Sequence, residues 1–222
     1  MNSVIIKKEK KEYYIEEAFK SLRTNIQFCG DDKKVIAFTS SVQGEGKSSV
    51  SLRLAISLAE AGKRVLFVDA DLRKSVLTGK LKITNNIKGL THFLAKQATL
   101  QEVINSTNIE GLYLIISGAV PPNPAELLER NVFNEMLKVV RQVYDYIIVD
   151  TPPLSNVIDG AIIAERCDSV VLVVASGMVS YRVVQNTKKQ LEKTNCPILG
   201  TVLNKVEKAQ SERYGVYGKY EE

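Results

Sequence analysis

Residues 35–49 read Val-Ile-Ala-Phe-Thr-Ser-Ser-Val-Gln-Gly-Glu-Gly-Lys-Ser-Ser, and this stretch decides the fold of the 222-residue chain. The apolar run Val35–Phe38 predicts a buried strand, and the pattern of Lys47–Ala61, closed by Gly62, predicts a helix. The residues between them fit G-x-x-x-x-G-K-[ST], with Ser41 replacing the first glycine. Small residues let backbone N–H groups close around phosphate oxygens at the start of a helix. The stretch therefore predicts a Walker A loop.

The loop predicts a site for a nucleoside triphosphate and Mg²⁺. Lys47 is expected to reach the β- and γ-phosphates, and the Ser48 hydroxyl is expected to ligate Mg²⁺. The residues predicted to contact the nucleotide are Gly44, Glu45, Gly46, Lys47, Ser48 and Ser49.

Carboxylates follow two further predicted strands. Asp69 and Asp71 lie in Val-Asp-Ala-Asp-Leu-Arg after one strand, and Asp150 follows the apolar run Ile147–Val149, as in a Walker B element. The carboxyl ends of parallel strands are where open α/β sheets bind ligands, so these aspartates can serve Mg²⁺. Each pattern alone fits a simple strand-end cap, but their combination with the loop favours catalysis by Lys47, Asp69, Asp71 and Asp150.

An asparagine, Asn204, follows the predicted strand Ile198–Leu203. Its amide can meet the polar edge of a purine at a strand end. The pattern alone leaves open whether it binds the nucleotide or only ends the strand, and we place Asn204 among the predicted nucleotide-binding residues.

Strand-like apolar runs alternate with helix-length patterns along the chain. The runs are Val35–Phe38, Val65–Val68, Leu112–Ile116, Tyr146–Val149, Val170–Val174 and Ile198–Leu203. The fourth and fifth are almost wholly apolar, which is typical of parallel strands buried on both faces. The alternation predicts an α/β fold of the P-loop NTPase class, with a mostly parallel central sheet and helices on both faces.

Composition narrows the class further. The apolar fraction of 45% supports one domain over residues 1–206, and the longest apolar run, Val170–Ala175, is too short for a membrane span or a signal peptide. Three scattered cysteines and the single His92 argue against a disulfide framework, a zinc site or a Ser-His-Asp triad. A net charge of +5, spread among acidic residues, indicates solvated faces rather than a nucleic-acid surface. We expect a soluble intracellular protein.

Two terminal segments lie outside this pattern. Residues 12–28 carry apolar side chains on one helical face, which fits either packing on the domain or a contact with another molecule. Residues 207–222 form a polar stretch, predicted to be flexible, that ends with Tyr214, Tyr217 and Tyr220 at every third position. Polar tails are poor in aromatic residues because they bury little, so these phenols are predicted phosphoacceptors.

With these motifs the chain resembles the bacterial tyrosine kinases, and most of all the free-standing cytoplasmic kinases of Gram-positive bacteria that accompany capsule and exopolysaccharide synthesis. The resemblance covers almost all of residues 12–222. It also rests on the signature-like segment Ser117–Leu128 and on the tyrosine tail. It implies ATP as phosphate donor, autophosphorylation of the tail, Asp69 as the group that positions or deprotonates the phenol, and Ser48, Asp71 and Asp150 around Mg²⁺.

The resemblance also implies partners and a location. These are a membrane-protein activator of the polysaccharide co-polymerase type, a cognate tyrosine phosphatase and a ring of identical subunits, with the kinase in the cytoplasm and recruited by the activator to the inner face of the membrane. The family's ring motif, E-x-x-R-x-x-R, is matched by Glu17, Lys20 and Arg23. Lysine at the middle position lacks the planar fork of arginine.

Two other functions fit parts of the sequence. One is a switch ATPase of the Min or Par type, but those proteins carry a signature lysine early in the loop, where this chain has Val42, and the chain lacks an amphipathic C-terminal membrane helix. The other is an inactive scaffold of the polysaccharide machinery, because an intact site does not prove turnover.

Overall fold

A computed structural model describes residues 3–7, 13–81, 87–155 and 158–207 of the chain. The strands are β1 (Ser3–Val4), β2 (Val35–Ser40), β3 (Val65–Asp69), β4 (Asn105–Thr107), β5 (Leu112–Ile115), β6 (Tyr146–Asp150), β7 (Ser169–Ala175) and β8 (Ile198–Asn204). The helices are α1 (Tyr13–Phe28), α2 (Lys47–Glu60), α3 (Leu77–Lys80), α4 (Leu90–Leu94), α5 (Leu100–Val103), α6 (Pro124–Glu129), α7 (Asn131–Val140), α8 (Asp159–Ala164) and α9 (Tyr181–Glu192).

The strands form one sheet in the order β1-β4-β5-β3-β6-β2-β7-β8. Every pair is parallel except β4 and β5, which are antiparallel, so the predicted mostly parallel α/β sheet is confirmed. The six predicted strands are present, with ends that differ by up to two residues. β1 and β4 were not predicted, because they are two and three residues long and lack an apolar run.

Helices cover both faces of the sheet. The side chains of each central strand point alternately towards one face and the other. Phe67 on β3 packs with the core that faces α1 and α2, whereas its neighbours Leu66 and Val68 join the core that faces α4 to α8. Side chains of a strand alternate in direction, so a wholly apolar strand fills two cores at once. This explains why the runs in β3 and β6 do not alternate with polar residues.

Helix α1, predicted over about residues 12–28, spans Tyr13–Phe28 and lies on α2. Ile26 is buried, while Phe19 and Leu22 are half-buried against the same core. The Arg23 guanidinium donates to the Ser57 carbonyl oxygen at 2.8 Å, which fastens the helix to α2. Packing on the domain therefore accounts for the C-terminal half of the predicted apolar face. Within the described ranges, no helix combines the length and the apolar character needed to cross a bilayer.

The parallel arrangement brings the predicted site residues to one edge of the sheet. Asp69 and Asp150 are direct neighbours at the ends of β3 and β6. The Walker A loop follows β2, the next strand along, and Asn204 ends β8 two positions further.

Candidate active site

The loop between β2 and α2 passes twice through left-handed backbone conformations. Gly44 has φ of 90° and Gly46 has φ of 89°. A Cβ atom on Gly46 would lie 2.1 Å from the Asn204 side-chain nitrogen, and one on Gly44 would lie 3.2 Å from the Met178 methyl group. Glycine is therefore required at 46 by both backbone and space, and at 44 by the backbone above all.

Glu45 holds the loop from within. Its side chain is fully buried. One carboxylate oxygen accepts a hydrogen bond from the Val42 N–H at 2.8 Å and the other accepts from the Ala175 N–H at 3.2 Å. The carboxylate thus ties the loop to itself and to the end of β7. Glu45, predicted to contact nucleotide, can do so only through its backbone.

Lys47 and Asp150 form a buried ion pair beneath the loop. The Lys47 ammonium lies 2.7 Å from Asp150 Oδ1, and both side chains are at most 7% exposed. The Ser51 hydroxyl donates to the same oxygen at 3.1 Å, and Lys47 Nζ lies 3.2 Å from the Ser48 hydroxyl. The predicted Walker A lysine and Walker B aspartate are therefore brought together.

Asp69 lies beside this pair at the end of β3 and is fully buried. Burial, and next the negative charge of Asp150, raise the pKa of Asp69 from 3.8 to about 7, although the Ser75 hydrogen bond and Lys47 act in the opposite direction. The Ser75 hydroxyl donates to Asp69 Oδ2, and the Asp71 N–H donates to Oδ1 at 3.3 Å. A carboxyl group with a pKa near neutrality is suited to proton transfer.

Arg73 fixes the segment that follows Asp69. Its guanidinium donates to both oxygens of Asp159 at 2.7 and 3.0 Å, and Asp159 is buried in the first turn of α8. Such a bidentate pair is strong and directional. No role for Arg73 was predicted from the sequence. The residue lies in the motif that contains Asp69 and Asp71, but its partner Asp159 is 86 residues away along the chain, so no local pattern links the two.

A cavity of about 440 Å³ opens over the loop. It is lined by Ser40, Gln43, Gly44, Glu45, Gly46, Lys47, Ser48, Ser49, Asp71, Arg73, Lys74, Val76, Pro152, Pro153 and Lys205. Seven of the predicted site residues are in that lining, whereas Asp69, Asp150 and Asn204 are not. Asp69 and Asp150 are buried, and Asp150 contacts Lys47, which lines the cavity. The Asn204 side-chain amide donates to the Glu45 carbonyl oxygen at 2.8 Å, so it supports the loop from behind.

The donor set suits a magnesium nucleotide. In the described part of the chain, no three His, Cys, Asp or Glu side chains come together as a ready-made metal cluster. Mg²⁺ in phosphate sites is held by one or two carboxylates together with phosphate oxygens and water, so a protein cage is not needed. Ser48 and Asp71 line the cavity. The Lys47 ammonium donates to both the Ser48 hydroxyl and the Asp150 carboxylate, which brings Asp150 close to Ser48. The left-handed backbone at Gly44 and Gly46 shapes the loop that borders this cavity.

Two predicted groups of residues lie away from the cavity or outside the described residues. Glu17, Lys20 and Arg23 are on α1, where Lys20 pairs with Glu17 at 2.6 Å. Tyr214, Tyr217 and Tyr220 fall outside the described residues.

Comparison with known families and sequences gives consistent matches. A family model described as an AAA domain matches residues 33–199. The tyrosine-protein kinase CpsD of Streptococcus agalactiae is 47% identical over 205 residues, which cover 92% of this chain and 89% of that protein. A putative tyrosine-protein kinase in the cps region of Klebsiella pneumoniae is 35% identical over 90% of this chain and 28% of its own length.

Solved structures give the same picture. The chimerical protein CapA2B2 superposes with a TM-score of 0.85 at 34% identity, over 92% of this chain and 94% of that one. The kinase domain of the Escherichia coli tyrosine kinase ETK has a TM-score of 0.83 at 29% identity, over 94% and 90%. The septum site-determining protein MinD of Pyrococcus horikoshii, complexed with Mg-ADP, has a TM-score of 0.66 at 27% identity, over 77% and 69%.

The raised pKa of Asp69 predicts a specific effect of pH on stability. Between pH 4 and 7 the folded protein retains a proton that the unfolded chain has released, so the free energy of unfolding falls as pH rises through this window, by at most about 4 kcal/mol. Asp69→Asn removes the group that titrates. We therefore expect the difference in free energy of unfolding, variant minus unsubstituted protein, to become more positive from pH 5 to pH 8. Urea unfolding at the two pH values measures it.

Asp32→Asn is the matched control. Asp32 is exposed, and Lys33 lowers its pKa, so it is ionised in both folded and unfolded states at pH 5 and at pH 8. Its effect on stability should be the same at both pH values. An equal effect of Asp69→Asn at pH 5 and 8 would show that the Asp69 pKa is not raised.

Proposed function

The chain belongs to the bacterial tyrosine-protein kinases with an AAA domain, the group that includes CpsD, and we propose that it is an ATP-dependent autokinase that phosphorylates its own C-terminal tyrosines. The observation that carries this proposal is the buried group Lys47, Asp69 and Asp150 beneath a cavity lined by the Walker A loop. The group combines a cation for phosphate charge with a carboxyl group poised to handle a proton.

Each residue has a distinct role in this proposal. ATP supplies the phosphoryl group when bound, with Mg²⁺ neutralising its charge. Lys47 stabilises negative charge on the phosphates, and Ser48, Asp71 and Asp150 hold Mg²⁺ and its water ligands. A phenol of pKa ~10 is ionised to only about one part in a thousand at pH 7. Asp69 therefore orients the phenol and accepts its proton, and orientation dominates because phosphoryl transfer is largely dissociative.

The position of the chain end supports the tail as the acceptor. We assign residues 1–206 to the kinase domain and residues 207–222 to the tail. Lys205 lines the cavity, so the chain leaves the described body at the cavity rim. Tyr214 follows Glu207 by seven residues, a reach of at most about 25 Å. A tether of this length supports phosphorylation of the tail at the active site of the same chain, or at that of another copy held close by.

We also propose a biological setting for this activity. The activity regulates the synthesis and export of capsular or extracellular polysaccharide. A membrane-protein activator of the co-polymerase type recruits the kinase to the inner face of the cell membrane, and a tyrosine phosphatase reverses the modification. The relative from a cps region supports this setting.

Self-association through α1 completes the proposal. The first turn of the helix exposes Tyr13, Tyr14 and Ile15, of which the two tyrosines are 72% and 64% exposed. Glu17 and Lys20 lie on the following turn. Exposed aromatic groups beside complementary charges are typical of protein interfaces. Arg23 contributes indirectly, because its guanidinium anchors the helix to α2.

Lys47→Met should lower phosphotyrosine formation by about 10²-fold or more, because the charge that stabilises the phosphates is lost. The measurement is intact mass after incubation with ATP and Mg²⁺, with and without an activator fragment. Removing Lys47 also leaves the Asp150 carboxylate buried without its cation, which costs about 3–5 kcal/mol of stability. Lys47→Arg retains the cation, so it should remain folded and still lose most transfer.

Lys138→Met, on the exposed side of α7, serves as control and should behave as the unsubstituted protein. Full phosphorylation of either Lys47 variant, in protein shown to be folded by circular dichroism, would contradict the kinase assignment.

Replacing Tyr214, Tyr217 and Tyr220 with phenylalanine should remove most of the phosphotyrosine. Each phosphate adds about −1.5 to −2 charges, so three add about −4.5 to −6 to a chain of charge +5. We expect this charge to release the tail and dissociate the assembly, so the substituted protein should stay assembled in ATP. The control is Tyr181→Phe, because Tyr181 is 78% exposed in the body of the protein. Phosphate found by mass spectrometry mainly on Tyr13, Tyr14 or Tyr181 would refute the tail as substrate.

Glu17→Ala combined with Lys20→Ala should shift the protein towards monomers in multi-angle light scattering. The matched control is Lys188→Ala with Glu192→Ala, which removes an exposed ion pair of 3.3 Å on α9, away from α1. A protein that is monomeric before substitution, even with its activator fragment and at high concentration, would show that α1 does not mediate assembly.

A further inference from the structure

Two consecutive residues at the end of β8 hold the carbonyl side of the phosphate loop. The Asn204 amide donates to the Glu45 carbonyl oxygen at 2.8 Å, and the Lys205 ammonium donates to the Gly44 carbonyl oxygen at 2.8 Å. All peptide bonds in the described chain are trans. In a trans peptide the C=O and the following N–H point in opposite directions. The N–H groups of Glu45 and Gly46 therefore point away from Asn204 and Lys205.

This geometry separates the Lys205 ammonium from the phosphates. Phosphate oxygens bind on the N–H side of such a loop. The ammonium of Lys205 is fixed on the opposite side, yet the residue lines the cavity. With the ammonium fixed on the Gly44 carbonyl oxygen, the methylene stem of Lys205 is the part of this lining residue that remains for contact with an apolar group.

The backbone of Lys205 is held in an unfavourable conformation. Its φ is 57°, a left-handed value shared in the described chain by only two other non-glycine residues, Lys96 and Asn195, neither of which lines the cavity. Strained residues of this kind are retained where the surroundings fix them, commonly at ligand sites. Here the Ser176 N–H, which donates to the Asn204 carbonyl oxygen at 2.8 Å, and the Lys205–Gly44 contact fix the residue on both sides.

A stem fixed at both ends forms a ready surface for an aromatic ring. The four methylene groups of a lysine are apolar, and long charged side chains commonly cover apolar surface with them. A stem that is already ordered loses little conformational entropy when a ligand stacks on it. Asn204 commits one amide N–H to the Glu45 carbonyl oxygen, which ties the side chain to the loop.

We infer that Lys205 is the residue on which the purine ring of the bound nucleotide stacks, with its ammonium held by Gly44 and its stem facing the base. This inference rests on the proposed nucleotide site and adds a residue that determines how the base, rather than the phosphates, is held.

The test compares ATP with inorganic tripolyphosphate, which has the phosphates but no base. Affinities of both for the full chain are measured by titration calorimetry in Mg²⁺. Lys205→Ala removes the stem and should weaken ATP binding by about tenfold, which corresponds to about two buried methylene groups, while tripolyphosphate binding changes by less than about twofold. Lys205→Met keeps most of the stem and should retain ATP binding within about threefold.

Other outcomes overturn the inference. Equal weakening of both ligands by Lys205→Ala would show that the residue only supports the loop. Unchanged ATP binding would place the base elsewhere, and a Lys205→Met variant as weak as Lys205→Ala would assign the effect to the ammonium. Lys189→Ala, an exposed lysine on α9 outside the cavity, should leave both affinities unchanged.

The outcome for Lys205 is separable from the outcome for the proposed function. A chain that binds ATP but forms no phosphotyrosine refutes the kinase assignment and leaves the Lys205 result intact. A chain that forms phosphotyrosine but binds ATP equally with and without Lys205 refutes only the inference.

Discussion

The buried contact between the Lys47 ammonium and the Asp150 carboxylate is the constraint around which the site is built. Two charges withdrawn from water carry a large desolvation cost, which is offset only by good geometry and additional hydrogen bonds. The contact is 2.7 Å long, and the Ser51 hydroxyl supplies a second donor to the same oxygen. The pair requires β2 and β6 to be adjacent and parallel, because only then do the loop after one strand and the aspartate at the end of the other meet.

The same pair determines the state of its neighbour. Asp69 lies opposite Asp150 in the register of β3 and β6, so the two carboxyl groups are forced together in a dry environment. Lys47 compensates one negative charge, and a second is costly there. Within the described residues Asp69 has no cation of its own, so burial and the nearby Asp150 charge raise its pKa and favour its protonated form. The acid–base character of the site thus follows from strand order.

The sequence predicts the parts of this protein that depend on local pattern. Apolar runs identified the central strands, and the spacing of glycines, Lys47 and Ser48 identified the loop, because these features are contiguous. Contacts between distant residues left no such signal. The buried Glu45 carboxylate accepts a hydrogen bond from the distant Ala175 N–H, and Arg73 pairs with the distant Asp159. The Asn204 amide donates to the Glu45 carbonyl oxygen, which is also far away along the chain. Short polar strands such as β4 pair because a longer neighbour supplies the apolar contacts, so they are invisible until the sheet is assembled.

The hydrogen bonds from Asn204 and Lys205 to the loop also connect the end of β8 mechanically to the phosphate loop. Val206 follows directly on these two residues, and the side chain of each donates a hydrogen bond to a carbonyl oxygen of the loop. A pull on Glu207 along the axis of β8 loads in shear the hydrogen bonds to β7, because those bonds lie across the two parallel strands. The two side-chain contacts pass part of this load directly to the phosphate loop. A pull transmitted through Val206 is thereby coupled to the loop at which the nucleotide would bind.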